Sequence, residues 1–369
     1  MKTLLQLLFL LLLCAACSSN EKQQQHPKDY IEIDMVPLIE GEAKEMPLQE
    51  WAKSVRFIPL DEDANVSFKS IKNIFQRGDT LLVHHVGKLT MFDADGTFLY
   101  HLDLKASGPQ DVTHVRSACL HNDLIYALVG WTSIKVYNWK GEFIEKLELP
   151  SNVWDVLTLP NKEEMLAYVA NHKGEEPVRY YRMKGEEVLD TVFNPFIYKR
   201  PKDAQLIIDN ECELQRSSGS LKAFIEMGSD TVYRVDEHLR TYPYIVFNMG
   251  KHHYTREQRY SETSEGWTER MMEGNECYLK VTGEIDDKVY IYNNRELSNF
   301  REVLYVGDTY CYDKNTEETS KYFLTYGEND WGISPNAFFV PRTLVEDKYL
   351  VDWESSANGN NAVLALVEP

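Results

Sequence analysis

The sequence predicts an all-β chain: a six-bladed β-propeller of four-stranded antiparallel blades, preceded by an N-terminal lipoprotein signal peptide. Three observations carry that prediction. A strand–turn–strand pattern recurs at an interval of about 45 residues, which is the period of a propeller blade. The flanks of each turn alternate between apolar and polar residues, as half-buried strands do. Tyr, Phe and Trp make up 12% of the chain, and these residues suit the pleated surface of a sheet.

The repeat is read most directly from three segments. "LTMFDADGTFLYHLDL" (Leu89 to Leu104) is followed by "IKVYNWKGEFIEKLEL" (Ile134 to Leu149) and "VRYYRMKGEEVLDTVF" (Val178 to Phe193). Gly96, Gly141 and Gly185 stand at the same offset in each, where a hairpin needs positive φ. Upstream, "NIFQRGDTLLVHH" and "ACLHNDLIYALVG" match in turn, with Asp79 and Asp123 at equivalent tight turns. The unit is therefore two strands before the copy and two within it. One such unit cannot bury both faces, whereas units stacked around an axis can. A large β-sandwich offers no reason for the fixed period.

Later units are less regular. "AFIEMGSDTVYRVDEHL" (Ala223 to Leu239) supplies the middle strands of a fourth blade. "YLKVTGEIDDKVYIYNN" with "TYCYDKNTEETSKYFL" supplies a fifth, and "FFVPRTLVEDKYLVDWES" with "NAVLALVEP" a sixth. The polar stretch Asn248 to Glu276 breaks the pattern and reads as a partly helical insertion at one rim. The simplest ring closure pairs "SVRFIPL" (Ser54 to Leu60) with the last blade. The expected organisation is residues 1–16 signal peptide, 17–49 tether and N-terminal arm, and 50–369 propeller with the insertion near 248–276.

The N-terminus reads "MKTLLQLLFLLLLCAACSSNEK". Its apolar run from Leu4 to Leu13 is too short to span a bilayer as a helix and suits a signal-peptide core. "CAAC" (Cys14 to Cys17) is similar to a bacterial lipobox, which makes Cys17 the expected site of lipid attachment; an ordinary secretory signal cut nearby is the alternative. The expected location is the bacterial cell envelope, lipid-anchored at the outer membrane. Four further cysteines, Cys119, Cys212, Cys277 and Cys311, show no metal-ligand spacing, and either buried thiols or disulfides fit them. The formal charge of −19, from 39 basic against 58 acidic residues, repels phosphate backbones and argues against nucleic-acid binding.

With these elements in place the chain resembles the Bacteroides-type six-bladed β-propeller lipoproteins, an architecture related to NHL-repeat propellers. "VRFIPLDED" (Val55 to Asp63), "MFDADGTFLYHLDLKASGPQDV" (Met91 to Val112), "GSDTVYRVD" (Gly228 to Asp236) and the lipobox carry the resemblance. It implies the fold and the anchor. It implies no catalytic residue, cofactor or ligand.

No HExxH, GxSxG, GxGxxG or P-loop pattern occurs, so no catalytic residue, metal or cofactor is assigned. His84 and His85 point to opposite faces of a strand and cannot chelate one ion as a pair. "RGD" (Arg77 to Asp79) reads as a turn, as its repeat partner "HND" shows. The first strand of each blade lines the central channel of a propeller, and ligands sit at a mouth of it. These strands bring Lys69, Lys72, His114, Arg116, Trp154, Asp155, Arg216, Tyr278, Lys280 and Arg342 toward one region. The candidate ligand-binding residues are His114, Arg116, Trp154, Asp155, Arg216 and Arg342, suited to an anionic or sugar-acid ligand. Two functions follow. One is a non-enzymatic module binding a glycan, a peptide or an envelope protein. The other is a polysaccharide lyase or hydrolase, with His114 and Arg116 as base and charge neutraliser.

If Cys17 carries the lipid, Cys17→Ala moves the protein from the detergent phase into the soluble fraction on phase partitioning. Membrane association that survives the substitution would show that the anchor lies elsewhere.

Overall fold

The repeating unit of the sequence is one blade of a ring, seen in a computed structural model. It describes residues 30–105, 114–121, 123–159, 164–194, 197–199, 201–202, 212–217, 220–226, 228–236, 240–261, 263, 265, 279–293, 295–299, 302–355 and 362–369. Three strands precede the first complete blade: β1 (Ile31–Asp34), β2 (Lys44–Pro47) and β3 (Ser54–Pro59). Blade I is β4 (Ile71–Arg77), β5 (Thr80–His85), β6 (Lys88–Asp93) and β7 (Phe98–His101). Blade II is β8 (Val115–His121), β9 (Leu124–Val129), β10 (Ser133–Asn138) and β11 (Phe143–Glu148). Blade III is β12 (Asp155–Thr158), β13 (Met165–Tyr168), β14 (Val178–Lys184) and β15 (Glu187–Phe193).

Blade IV is β16 (Cys212–Ser217), β17 (Ser220–Glu226), β18 (Thr231–Val235) and β19 (Thr241–Asn248). Blade V contains β20 (Leu279–Ile285) and β21 (Lys288–Asn293), then an inserted hairpin of β22 (Arg295–Asn299) and β23 (Glu302–Val306), then β24 (Thr309–Asp313) and β25 (Glu318–Thr325). Blade VI is β26 (Thr343–Val345), β27 (Tyr349–Ser355) and β28 (Ala362–Glu368), completed by β3. Within every blade the strands run antiparallel in meander order.

Closure is as the sequence suggests. β3 pairs antiparallel with β28 from Ser54↔Glu368 to Pro59↔Val363. Backbone bonds from Lys53 N to Glu368 O (2.8 Å) and from Leu60 N to Ala362 O (2.9 Å) extend the ladder at both ends. The remainder of the N-terminal arm is also sheet. β1 lies parallel on β19 and β2 parallel on β25, so each covers the outer edge of a blade. At four residues each, these strands are too short to stand out as a period, and the neighbouring edge supplies their backbone partners.

The core explains the alternation. Six hydrophobic clusters lie between neighbouring blades rather than inside any one of them. On β5, Leu81 and Val83 pack toward blade VI with Trp353 and Leu364, whereas Leu82 packs toward blade II with Ala118 and Ile125. Each such side chain contributes about 1.5–3 kcal/mol on full burial. Cys119 and Cys311 are buried free thiols.

Two expectations need correction. "LQRSSGSLKAF" is not one inner strand but a hairpin, β16 turning into β17. The pattern also hides a second insertion, β22–β23, because its residues alternate like blade strands. Of the expected insertion near 248–276, the described part holds a short helix, Arg256–Ser261. That helix packs back on the ring: the Tyr260 hydroxyl donates to Asn171 O (3.0 Å) and Arg256 Nη2 to Glu226 Oε2 (2.8 Å).

The three marker glycines occupy equivalent hairpins between the third and fourth strands of blades I to III, with φ of 88°, 79° and 56°. Asp93 and Asn138 cap the first two turns, accepting from Thr97 N and Glu142 N respectively. A Cβ on Gly141 would meet the Tyr100 ring of the previous blade at 2.6 Å, whereas nothing lies within 4 Å of one on Gly185. Gly141→Val is therefore expected to destabilise by roughly 1–3 kcal/mol or more in denaturant unfolding, from strain plus clash. Gly185→Ala should show strain alone and cost less; the reverse order would refute this account of the turn.

Candidate functional site

Successive antiparallel strands send alternate connections to opposite ends of the ring. One end carries the turns of the first and third hairpins of each blade, short among the described residues. The other, where each inner strand begins, carries the connections between successive blades, whose described parts include 249–261 and 326–342, and the β22–β23 hairpin. Functional loops gather on such a face of a rigid scaffold.

At that mouth the first hairpins of blades I, II and V share a defect. Register slips by one between Ile71 and Asn73, between Val115 and Ser117, and between Val281 and Gly283. Lys72, Arg116 and Thr282 are the extra residues. A bulge re-aims its side chain out of the alternation, and here it turns two cations away from the blade interfaces.

Arg116 meets two indoles. Its Cζ lies 3.1 Å from the Trp131 ring centroid and 4.6 Å from that of Trp154. Trp131 sits in the turn between β9 and β10, and its carbonyl accepts from Val153 N at 2.8 Å, which ties it to the approach to Trp154. The two indole centroids are 5.4 Å apart, and the His172 ring meets Trp154 edge-on at 4.5 Å. Each cation–π contact contributes about 0.5–2 kcal/mol, depending on desolvation.

Among the described residues neither Lys72 nor Arg116 makes an ion pair, and Arg116 Nε is buried with no hydrogen-bond partner. Burial, then Arg116, pulls the Lys72 ammonium below its ordinary range. Burial, then Lys72 and Arg116, lowers His114, and burial lowers Arg116 itself. Burial and the neighbouring guanidinium both favour the neutral amine at Lys72.

Four of the residues singled out from sequence come together here: His114, Arg116, Trp154 and Asp155. Asp155 Oδ1 accepts from the Ser117 hydroxyl and from Val156 N at 2.8 Å, which links the inner strands of blades II and III. Arg216 lies on β16 and Lys280 on β20; the side chain of Arg216, and Tyr278 and Cys17 altogether, fall outside the described residues. The Lys69 ammonium lies over its neighbour Phe68, 5.6 Å from the ring centroid.

Arg342 is engaged elsewhere. Its Nε donates to Asp352 Oδ1 at 2.6 Å, and Asp352 Oδ2 accepts from Tyr326 (2.9 Å) and Val340 N (2.7 Å). Asp352 is 1% exposed. Burial, then Asp352, pushes the Tyr326 hydroxyl well above its ordinary range, so it remains a donor.

Trp131 and His172 escaped the sequence reading because both lie in turns, outside the strand pattern. A signal existed: a turn between the second and third strands of a unit must open at the same mouth as the inner strand begins.

His84 and His85 diverge as expected. His84 Nε2 lies 3.3 Å from Val115 O, and His85 Nε2 lies 2.8 Å from Thr90 Oγ1. Among the described residues no group of three or more His, Cys, Asp and Glu is placed to hold a metal ion, and no helix is long and apolar enough to cross a membrane.

Asp352→Ala is expected to cost about 3–5 kcal/mol in denaturant unfolding, because it removes a buried carboxylate that pairs with the half-buried Arg342 and accepts from the buried Tyr326 hydroxyl. A loss under about 1 kcal/mol would show that the network is not structural.

Comparison with known proteins places this architecture. A protein of Bacteroides fragilis, named as a candidate exported protein, aligns with a TM-score of 0.61 at 14% identity, covering 88% of this chain and 98% of its own. A member of the DUF4221 family from Bacteroides vulgatus aligns with a TM-score of 0.54 at 10% identity, covering 86% and 97%. At those identities the likeness is one of fold. No curated protein matches. The profile of the domain of unknown function DUF4934 matches residues 31–361, from the first strand of the arm nearly to the last strand of the ring, and the chain belongs to that family.

Proposed function

We propose that this chain is a lipid-anchored envelope protein that works as a recognition module, presenting the loop-bearing mouth of its propeller to a ligand or partner. The single observation that carries the reading is the Arg116 wedge. A half-buried guanidinium packs against two tryptophans and makes no ion pair among the described residues. A cation stacked at the channel mouth without a carboxylate partner suits a group that holds an anionic ligand. Anchoring is supported by the lipobox at Cys17, and export by the name carried by the similar Bacteroides fragilis protein. The rigid ring serves recognition without chemistry.

The test is a glycan and peptide binding screen of the purified chain, followed by a turnover assay on every hit. Product formation from a bound glycan would replace this reading with that of a lyase or hydrolase at the same mouth. For a hit that is bound and not turned over, Arg116→Ala and Trp154→Ala should each weaken binding by at least about 1 kcal/mol. Both variants should keep the parent melting temperature. Should both unfold the protein while residual affinity persists, these residues are packing residues and the binding face is elsewhere.

A further inference from the structure

We propose that the Arg116 wedge takes a short acidic oligosaccharide carrying two carboxylates, one on the in-plane edge of Arg116 and one on the Lys72 ammonium. The proposal rests on the reading of this mouth as a binding face and names the chemistry of its ligand.

The first argument is charge. Lys72 and Arg116 bring two positive charges to one mouth, and neither has a carboxylate partner among the described residues. The cations weaken one another, as the effect of Arg116 on Lys72 and of both on His114 shows. A single carboxylate on Arg116 leaves the ammonium without a partner, whereas two relieve both groups. The chain as a whole carries −19, and that field disfavours a long polyanion. A short dianion therefore fits better than a polymer.

The second argument is shape. The Arg116 guanidinium carbon lies over the Trp131 indole, 3.1 Å from its centroid. Its Nε is buried, so the terminal Nη groups, which make no hydrogen bond among the described residues, are the donors left for a ligand. A planar carboxylate continues that stack side-on through two parallel bonds.

The third argument is the platform. Trp131 remains 39% exposed although Arg116 covers part of it. An indole edge in the open beside a carboxylate clamp suits the C–H face of a pyranose, which combines apolar and hydroxyl surface. His114 is exposed, and its imidazole offers a donor and an acceptor to a sugar hydroxyl.

The experiment is calorimetric titration of the full chain with digalacturonic acid, its dimethyl ester, galacturonic acid and galactose 1-phosphate. Digalacturonic acid should bind most tightly, and the uncharged ester should bind at least about tenfold more weakly, the scale of one lost charged contact. Lys72→Ala should weaken the dimer by about tenfold and leave the monomer unchanged. Arg116→Lys, which keeps the charge and loses the fork, should weaken both.

Three results overturn the proposal: equal binding of the acid and its ester, equal or tighter binding of galactose 1-phosphate, or no effect of Lys72→Ala on the dimer. The acid–ester comparison uses the unaltered chain, so it decides even if a variant fails to fold. If a neutral ligand binds and is lost in Trp154→Ala, the binding face stands and the charge assignment falls. If ligands bind but neither Arg116→Ala nor Trp154→Ala affects them, both fall.

Discussion

The structure depends on the pairing of β3 with β28. A propeller has no central core; each of its hydrophobic clusters lies between two blades and needs both. An open ring would leave the faces of blades I and VI bare, and with them Ile74, Leu81, Phe92, Trp353 and Leu364. The ladder from Ser54 to Pro59 against Val363 to Glu368 joins the two ends of the chain within one sheet, so loss of either end opens the whole circle. Gly96 shows how tight the seam is: a Cβ there would sit 2.1 Å from Pro59 O on the closing strand.

The N-terminal arm extends this closure into a band. Moving along the chain, β1 edges blade IV, β2 edges blade V and β3 completes blade VI. Two of these pairings are parallel, opposite to the rule within the blades, because the arm runs in the same direction as the outermost strands it covers. Lys321 Nζ donates to Gly41 O at 2.8 Å and Gln49 Nε2 to Tyr326 O at 2.9 Å, which fixes the arm to blade V by side chains as well. An exposed sheet edge is a template for aggregation, and covering it removes that hazard.

The site follows from the same architecture through a local fault. The alternation that buries Ile74 and Val115 would send their neighbours into an adjacent blade. The bulges at Lys72 and Arg116 break that alternation where the inner strands enter the ring, and the charged side chains turn out instead. Trp131 and Trp154 belong to different blades, yet the bond from Val153 N to the Trp131 carbonyl holds their turns together. Arg342 shows the contrasting outcome. It also stands at the start of an inner strand, but Asp352 lies on the neighbouring strand within reach, and the pair became part of the frame.

Much of the fold was legible because its determinants are local and repeated. Gly96, Gly141 and Gly185 report a backbone requirement wherever they stand, and β5 or β9 reads as a strand from its own residues. The closing strand was legible for the same reason, since "SVRFIPL" alternates. The hairpin at β16–β17 and the inserted β22–β23 were not, because alternation fixes strand character and leaves pairing partners open. The sequence by itself determined the unit and its number. Tertiary structure alone decided which of the candidate site residues meet. A one-residue register slip, invisible in composition or period, separates the unpaired Arg116 from a core position. A partner distant in space assigns Arg342 to the scaffold. Charge and stacking act through distance, and distance across blades is set only when the ring closes.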